Sequence, residues 1–137
     1  MRRLTALSTL FLVLGVPSLF AVQAATVAAS NNYRVEFENE LVRVVRVTYG
    51  PHEKSPMHEH EGNPAVIIIL KEGDRIHFVN GDGTETERAS EKAGSVRFAA
   101  GRAPYKHSVS NLGDRPLETI RVELKPQQPA DSKCSTK

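Results

Sequence analysis

The stretch Met57-His58-Glu59-His60-Glu61-Gly62-Asn63-Pro64-Ala65-Val66-Ile67-Ile68-Ile69-Leu70 decides the reading of this chain. From Ala65 to Leu70 it is an unbroken apolar run with three consecutive isoleucines. β-branched side chains are stiff about χ1 and pack well on a pleated surface, so the run predicts a buried strand rather than a helix. The front of the stretch sets two histidines two places apart. In an extended segment residues i and i+2 point to the same side, which puts His58 and His60 on one face and turns Met57 and Glu59 away. Two imidazoles so placed can grip one metal ion. Imidazole suits Fe, Zn, Cu, Ni and Mn in varying degree, so the pair predicts a divalent metal without choosing it.

Outward from this stretch the same period recurs. Tyr33, Val35 and Phe37 alternate with Arg34 and Glu36, a strand that Asn39-Glu40 ends in a turn. Leu41 to Thr48 is a second strand, with Leu41, Arg43, Val45 and Val47 on one face and Val42, Val44 and Arg46 on the other; Gly50-Pro51 breaks it. After Gly73-Asp74, Arg75 to Asn80 alternates again, and Gly81-Asp82-Gly83 predicts a hairpin loop. The return strand, Thr84 to Glu87, is polar on both faces and belongs at a sheet edge. Val96 and Phe98 alternate with Ser95 and Arg97, Gly101 to Pro104 is a loop, and Leu117 to Leu124 is the last strand. No segment carries a clear amphipathic helix. Many short strands between turn signals predict an all-β antiparallel sandwich or barrel.

The ends read differently. Arg2 and Arg3 precede a largely apolar run from Leu4 to Phe20, and Val22-Gln23-Ala24 offers small residues for cleavage before Ala25. That order predicts a secretory signal peptide over residues 1–24 rather than a retained membrane anchor, and hence a periplasmic or secreted protein. Residues 25–32 are a small, polar lead-in, residues 33–125 the domain, and residues 126–137 a polar, disordered tail. The 137 residues suit one compact domain, with 25% charged and 39% hydrophobic side chains. The net charge of +2 comes from 18 basic and 16 acidic residues. Loss of Arg2 and Arg3 with the leader brings the balance to zero, so no basic patch points to nucleic acid, and no membrane contact is expected of the released domain. The lone cysteine, Cys134, sits in the tail and cannot form an internal disulfide.

Of the five histidines, His52 falls in the turn after Gly50, and His77 alternates with Ile76 and Phe78 and so faces outward. His107 enters another strand far along the chain, a distance that two facing sheets can close. Glycine-rich phosphate loops and a serine nucleophile elbow are both missing, which argues against nucleotide chemistry and Ser-His-Asp hydrolysis.

The residues Gly50 to Gly73 and Gly94 to Asn111 resemble the two motifs of the cupins, small antiparallel jelly-roll barrels. In the first, Gly50 precedes His58 and His60, then the strand Val66 to Leu70, then Gly73; in the second, Gly94 leads to His107 and Asn111. The likeness covers most of the chain up to Leu124, in particular to small single-domain bacterial cupins. It implies a jelly-roll β-barrel with His58, His60 and His107 as ligands of a divalent metal ion (Fe, Mn, Zn, Cu or Ni), a small-molecule substrate or ligand, and a homodimer. The family's usual glutamate ligand has no equivalent: its place falls at Val66, Pro64 or Ala65 according to the count. Glu61 or Asn63 are candidates for a fourth ligand, and the lack of a carboxylate leaves a metal-free site open. Tyr105 and Arg97, near the second motif, are candidates to face the cavity. The function implied is a metal-dependent cupin oxidoreductase, dioxygenase-like, or an isomerase. The alternative is a barrel that binds a small molecule or metal without turnover.

Overall fold

The computed structural model describes residues 23–127. The leader up to residue 22 and the tail from residue 128, Cys134 included, lie outside the described residues. A four-residue helix, α1 (Ala25–Ala28), precedes nine strands: β1 (Tyr33–Glu38), β2 (Val42–Tyr49), β3 (His58–His60), β4 (Ala65–Lys71), β5 (Arg75–Asn80), β6 (Glu85–Ala89), β7 (Val96–Ala99), β8 (Tyr105–Asn111) and β9 (Leu117–Leu124). They form an antiparallel jelly roll of two sheets. One runs in the order β1-β2-β9-β4-β7 and the other β3-β8-β5-β6. The consecutive strands β5 and β6 pair as a hairpin, whose loop turns through Gly83 at φ 84°. The polar strand β6 lies at the edge of its sheet, with all five residues exposed, because it has no apolar face to bury.

The core lies between the sheets. Val45, Val47 and Tyr49 of β2 are buried, with Ile67 and Ile69 of β4 and Ile76 and Val109 of the facing sheet. The apolar run is less enclosed than its composition suggests. Ala65, Ile67 and Ile69 point inward and are buried, whereas Val66 and Ile68 point outward and are half-buried, and Leu70 is exposed. Nothing among the described residues covers the outer face of that sheet. The lead-in also differs from its sequence reading. Ala25 and Ala29 pack into the same core cluster as Tyr33, Val45 and Val47, and Glu59 N donates to Gln23 O at 3.0 Å.

Two strands reverse the usual polarity. β9 sits between β2 and β4, pairing Ile120 with Arg46 and Ile68, and Val122 with Val44 and Val66. Those partners point outward, so Ile120 and Val122 must as well, and Thr119 and Arg121 face in. In β7, Arg97 pairs with the inward Ile67, and Val96 and Phe98 face out at 63% exposure each. Register, once set by hydrogen bonding to the neighbours, places every side chain of a strand. Here it carries two arginines inside.

The asparagine of the second motif is a strut. Asn111 is 1% exposed; its Nδ2 donates to Gly50 O at 2.9 Å and to Arg115 O at 2.8 Å, and its Oδ1 accepts from Gly113 N. It ties the end of β2 to the β8–β9 loop. Removing one partner from a buried hydrogen bond costs about 1–3 kcal/mol. Asn111→Ala strands the Arg115 carbonyl and the Gly113 N–H and takes one of two donors from Gly50 O, so denaturant unfolding should show a loss of about 3 kcal/mol, with the strand content by circular dichroism retained.

Candidate metal centre

The site rests on the pairing of β3 with β8. His58 lies opposite His107, Glu59 opposite Lys106 and His60 opposite Tyr105. With the alternation of each strand, this puts three imidazoles and the Tyr105 ring on one face. The ring centroids of His58, His60 and His107 are 4.8 to 5.0 Å apart, all near edge-on. One nitrogen from each ring falls within 4.8 Å of the other two. The Nε2 atoms of His60 and His107 are 3.2 Å apart, one donating to the other.

Each ring is held. His58 Nδ1 donates to Pro56 O at 2.9 Å. Its Nε2 is thereby left as the acceptor, buried and without a hydrogen-bond partner. A buried polar atom with no partner is uncommon, and an imidazole whose other nitrogen donates to a carbonyl is the usual arrangement of a metal-ligating histidine. Tyr105 stacks on His60 at 5.0 Å and 25°. Tyr33 lies 4.8 Å from the His58 ring, and the Tyr49 hydroxyl donates to the Tyr33 hydroxyl at 3.3 Å. Burial raises the Tyr33 pKa well above its ordinary value, which keeps that phenol neutral.

The histidines are neutral as well. Burial is the main cause, driving His60 down to about 2 and His107 to about 3; for each, positive neighbours including Arg102 and Arg121 add to it. His58 is lowered by burial, against the bond to Pro56. Neutral imidazoles are the form that ligates metal, so the donor set fits a divalent ion.

The other candidates are sorted by position. His52 is exposed at φ 56° and bonds Asp114 at 2.9 Å, and His77 bonds Glu85 at 3.0 Å on the outer surface; neither joins the cluster. Glu61 accepts from Asn63 Nδ2 at 2.9 Å and lies outside the ring-nitrogen group, so no carboxylate joins the three histidines among the described residues. Of the positions counted for the missing glutamate, Val66 points out of the barrel, and the fully buried Ala65 faces in without a ligand atom. Gly62, at φ 82°, lets this loop meet the next: a β-carbon there would collide with the Arg102 carbonyl oxygen.

His60 and His107 open onto a cavity of about 560 Å³ between the sheets. Tyr105 and Arg97, the two sequence candidates, line it. So do Arg88, Arg102 and Arg121, which sequence reading passed over. Arg121 left a trace in the sequence, an arginine in step with Thr119 in the middle of a β-branched strand, but nothing local says that this face is the inner one.

Solved structures share this fold. A cupin domain from Bordetella pertussis Tohama I superposes with a TM-score of 0.57 at 19% identity, covering 69% of this chain and 92% of that one. A conserved protein with a double-stranded β-helix domain from Klebsiella pneumoniae is also similar, with a TM-score of 0.48 at 19% identity, covering 72% and 76%. No family model matches the sequence. No curated protein matches it either. The architecture is thus that of a cupin jelly roll, a likeness of fold alone, and the three clustered histidines are compatible with metal binding.

The metal-free protein should lose stability in acid. Unfolded histidines titrate near 6.5, and His60 and His107 resist protonation until about 2 and 3. Between those values the unfolded chain binds more protons than the folded one, so stability falls as pH drops below about 6.5 and is unaffected above it. Urea titrations from pH 7.5 to 4.5 should show this slope, and His60→Ala should flatten it.

Proposed function

We propose that this chain is an exported protein that holds one divalent metal ion through His58, His60 and His107 and uses it on a small molecule in the adjoining cavity, as a metal-dependent dioxygenase or isomerase. The observation that carries the reading is the convergence of three neutral ring nitrogens, one of them, His58 Nε2, buried with no other partner. A bound ion would supply an open Lewis-acid position facing the cavity. The chain's own contribution is to hold His58 by the Pro56 carbonyl, to fix His60 under Tyr105, and to shield the site with Tyr33 and Tyr49. Export rests on the apolar leader behind Arg2 and Arg3.

The second reading is a barrel that captures a ligand without turning it over. It is favoured by the lack of a carboxylate in the histidine cluster, since a general base would have to come from elsewhere. Oxygen consumption with small phenols or diketones, or conversion of the small molecule to an isomer without it, marks the first reading; binding with neither marks the second.

A homodimer belongs to the same proposal. The row Phe37, Val44, Val122, Val66 and Phe98 crosses all five strands of the larger sheet on its outer face, with Phe37 and Phe98 more than half exposed. A contiguous apolar row suits a self-complementary two-fold contact. Light scattering should give twice the chain mass, and Phe98→Glu should halve it.

Metal analysis by plasma mass spectrometry on untagged protein tests the site. One ion per chain is expected, lost in His58→Ala and His107→Ala and kept in His77→Ala. Equal loss in all three would sink the assignment.

A further inference from the structure

The cavity beside the histidines is lined by four guanidinium groups, those of Arg88, Arg97, Arg102 and Arg121. Carboxylates answer only part of this charge. Arg121 Nε donates to Glu123 at 2.8 Å, both side chains being nearly buried. Arg88 and Arg97 share a single carboxylate, Glu91, at 3.6 and 2.7 Å. Arg102 has no carboxylate partner among the described residues, and its guanidinium carbon lies over the Tyr105 ring, 3.3 Å from the centroid. Four cations against Glu91 and Glu123 leave an excess of two. Neutral imidazoles offset none of it, and a metal ion would add to it.

A second observation concerns how Arg97 is held. Arg97 Nε is buried and lies 2.7 Å from the Glu91 carboxylate, an ion pair in which the Nε–H makes no hydrogen bond. On the inner face of β7 this guanidinium is therefore ion-paired but has a buried N–H still open to an acceptor, which a ligand can supply. Arg97 and Arg121 face inward and Arg88 and Arg102 line the cavity from exposed positions, and like charges gathered round one cavity are unfavourable unless an anion joins them. The remaining wall is apolar, with Ile67, Ile69, Ile76, Val109 and Leu117.

We infer that the cavity binds a small organic anion, whose carboxylate or phosphate group is taken by Arg97 and Arg102 and whose apolar body packs on the isoleucine wall. The inference deepens the small-molecule reading above and names its ligand class, but it does not depend on the metal. Guanidinium forks match the two oxygens of such groups, and the ligand would bring the negative charge that the missing glutamate does not.

Calorimetric titration of the purified chain, metal-free and zinc-loaded, with benzoate, phenyl phosphate and benzamide tests it. One or both anions should bind, with benzamide at least about tenfold weaker. Benzoate alone would assign a carboxylate, phenyl phosphate alone a phosphate. Arg97→Gln and Arg102→Gln should each weaken the anion about tenfold and leave zinc stoichiometry at the wild-type value. Arg97→Lys keeps the charge and guards against a folding defect, and should bind between wild type and Arg97→Gln. Equal binding of benzamide, unchanged affinity in both glutamine variants, or no anion bound in either metal state overturns the inference. Anion binding through Arg97 in a chain that takes up none of Fe, Mn, Zn, Cu and Ni would sink the metal reading and leave this one standing.

Discussion

The pairing of β3 with β8 sets His58 opposite His107 and His60 opposite Tyr105, and the candidate site follows from that register. A slip of one residue would send both histidines of β3 to the other face and leave Glu59 in their place. The register is held from outside the site. Ser55 N donates to Val109 O at 2.9 Å, and the Ser55 hydroxyl accepts from Val109 N at 3.0 Å. Asn111 N donates to Glu53 O. These bonds anchor the segment that enters β3, so three imidazoles can be withdrawn from water and kept neutral without collapsing onto other partners.

The same logic of register explains the cavity. In β7 and β9 the apolar residues face outward and the arginines inward, against the usual distribution. Burying charge has a cost that a chain bears only where pairing or a ligand returns it. Glu91 and Glu123 return part of it. The outward apolar residues have a cost of their own, since Val96 and Phe98 remain in contact with water. One strand orientation thus produces both an arginine-lined interior and an apolar exterior.

Much of the fold was readable from local pattern. The period-two alternation of Tyr33 to Phe37, Leu41 to Thr48 and Arg75 to Asn80, the turn residues between them, and the β-branched run from Ala65 to Leu70 each predict their strands without tertiary information. The hairpin at Gly81-Asp82-Gly83 and the polar edge strand were legible for the same reason: turn geometry and edge exposure are local demands. The packing of Ala25 and Ala29 was not legible, because alanines beside polar residues look alike whether a short helix docks them or not. Nor was the uncovered outer face of the larger sheet, since an apolar run does not say how many layers enclose it.

The sequence by itself determined an all-β chain of short strands and the shared face of His58 and His60, because strand period and residue chemistry are written into neighbouring positions; the candidate role of His107 came from the resemblance of Gly94 to Asn111 to the second cupin motif. Only the tertiary structure decided that His107 closes on the pair, that Glu61 stays apart, and that Arg88, Arg97, Arg102 and Arg121 line the cavity. A strand's alternation defines two faces but not which is the inside. That choice is made by hydrogen-bond register to strands distant in the chain.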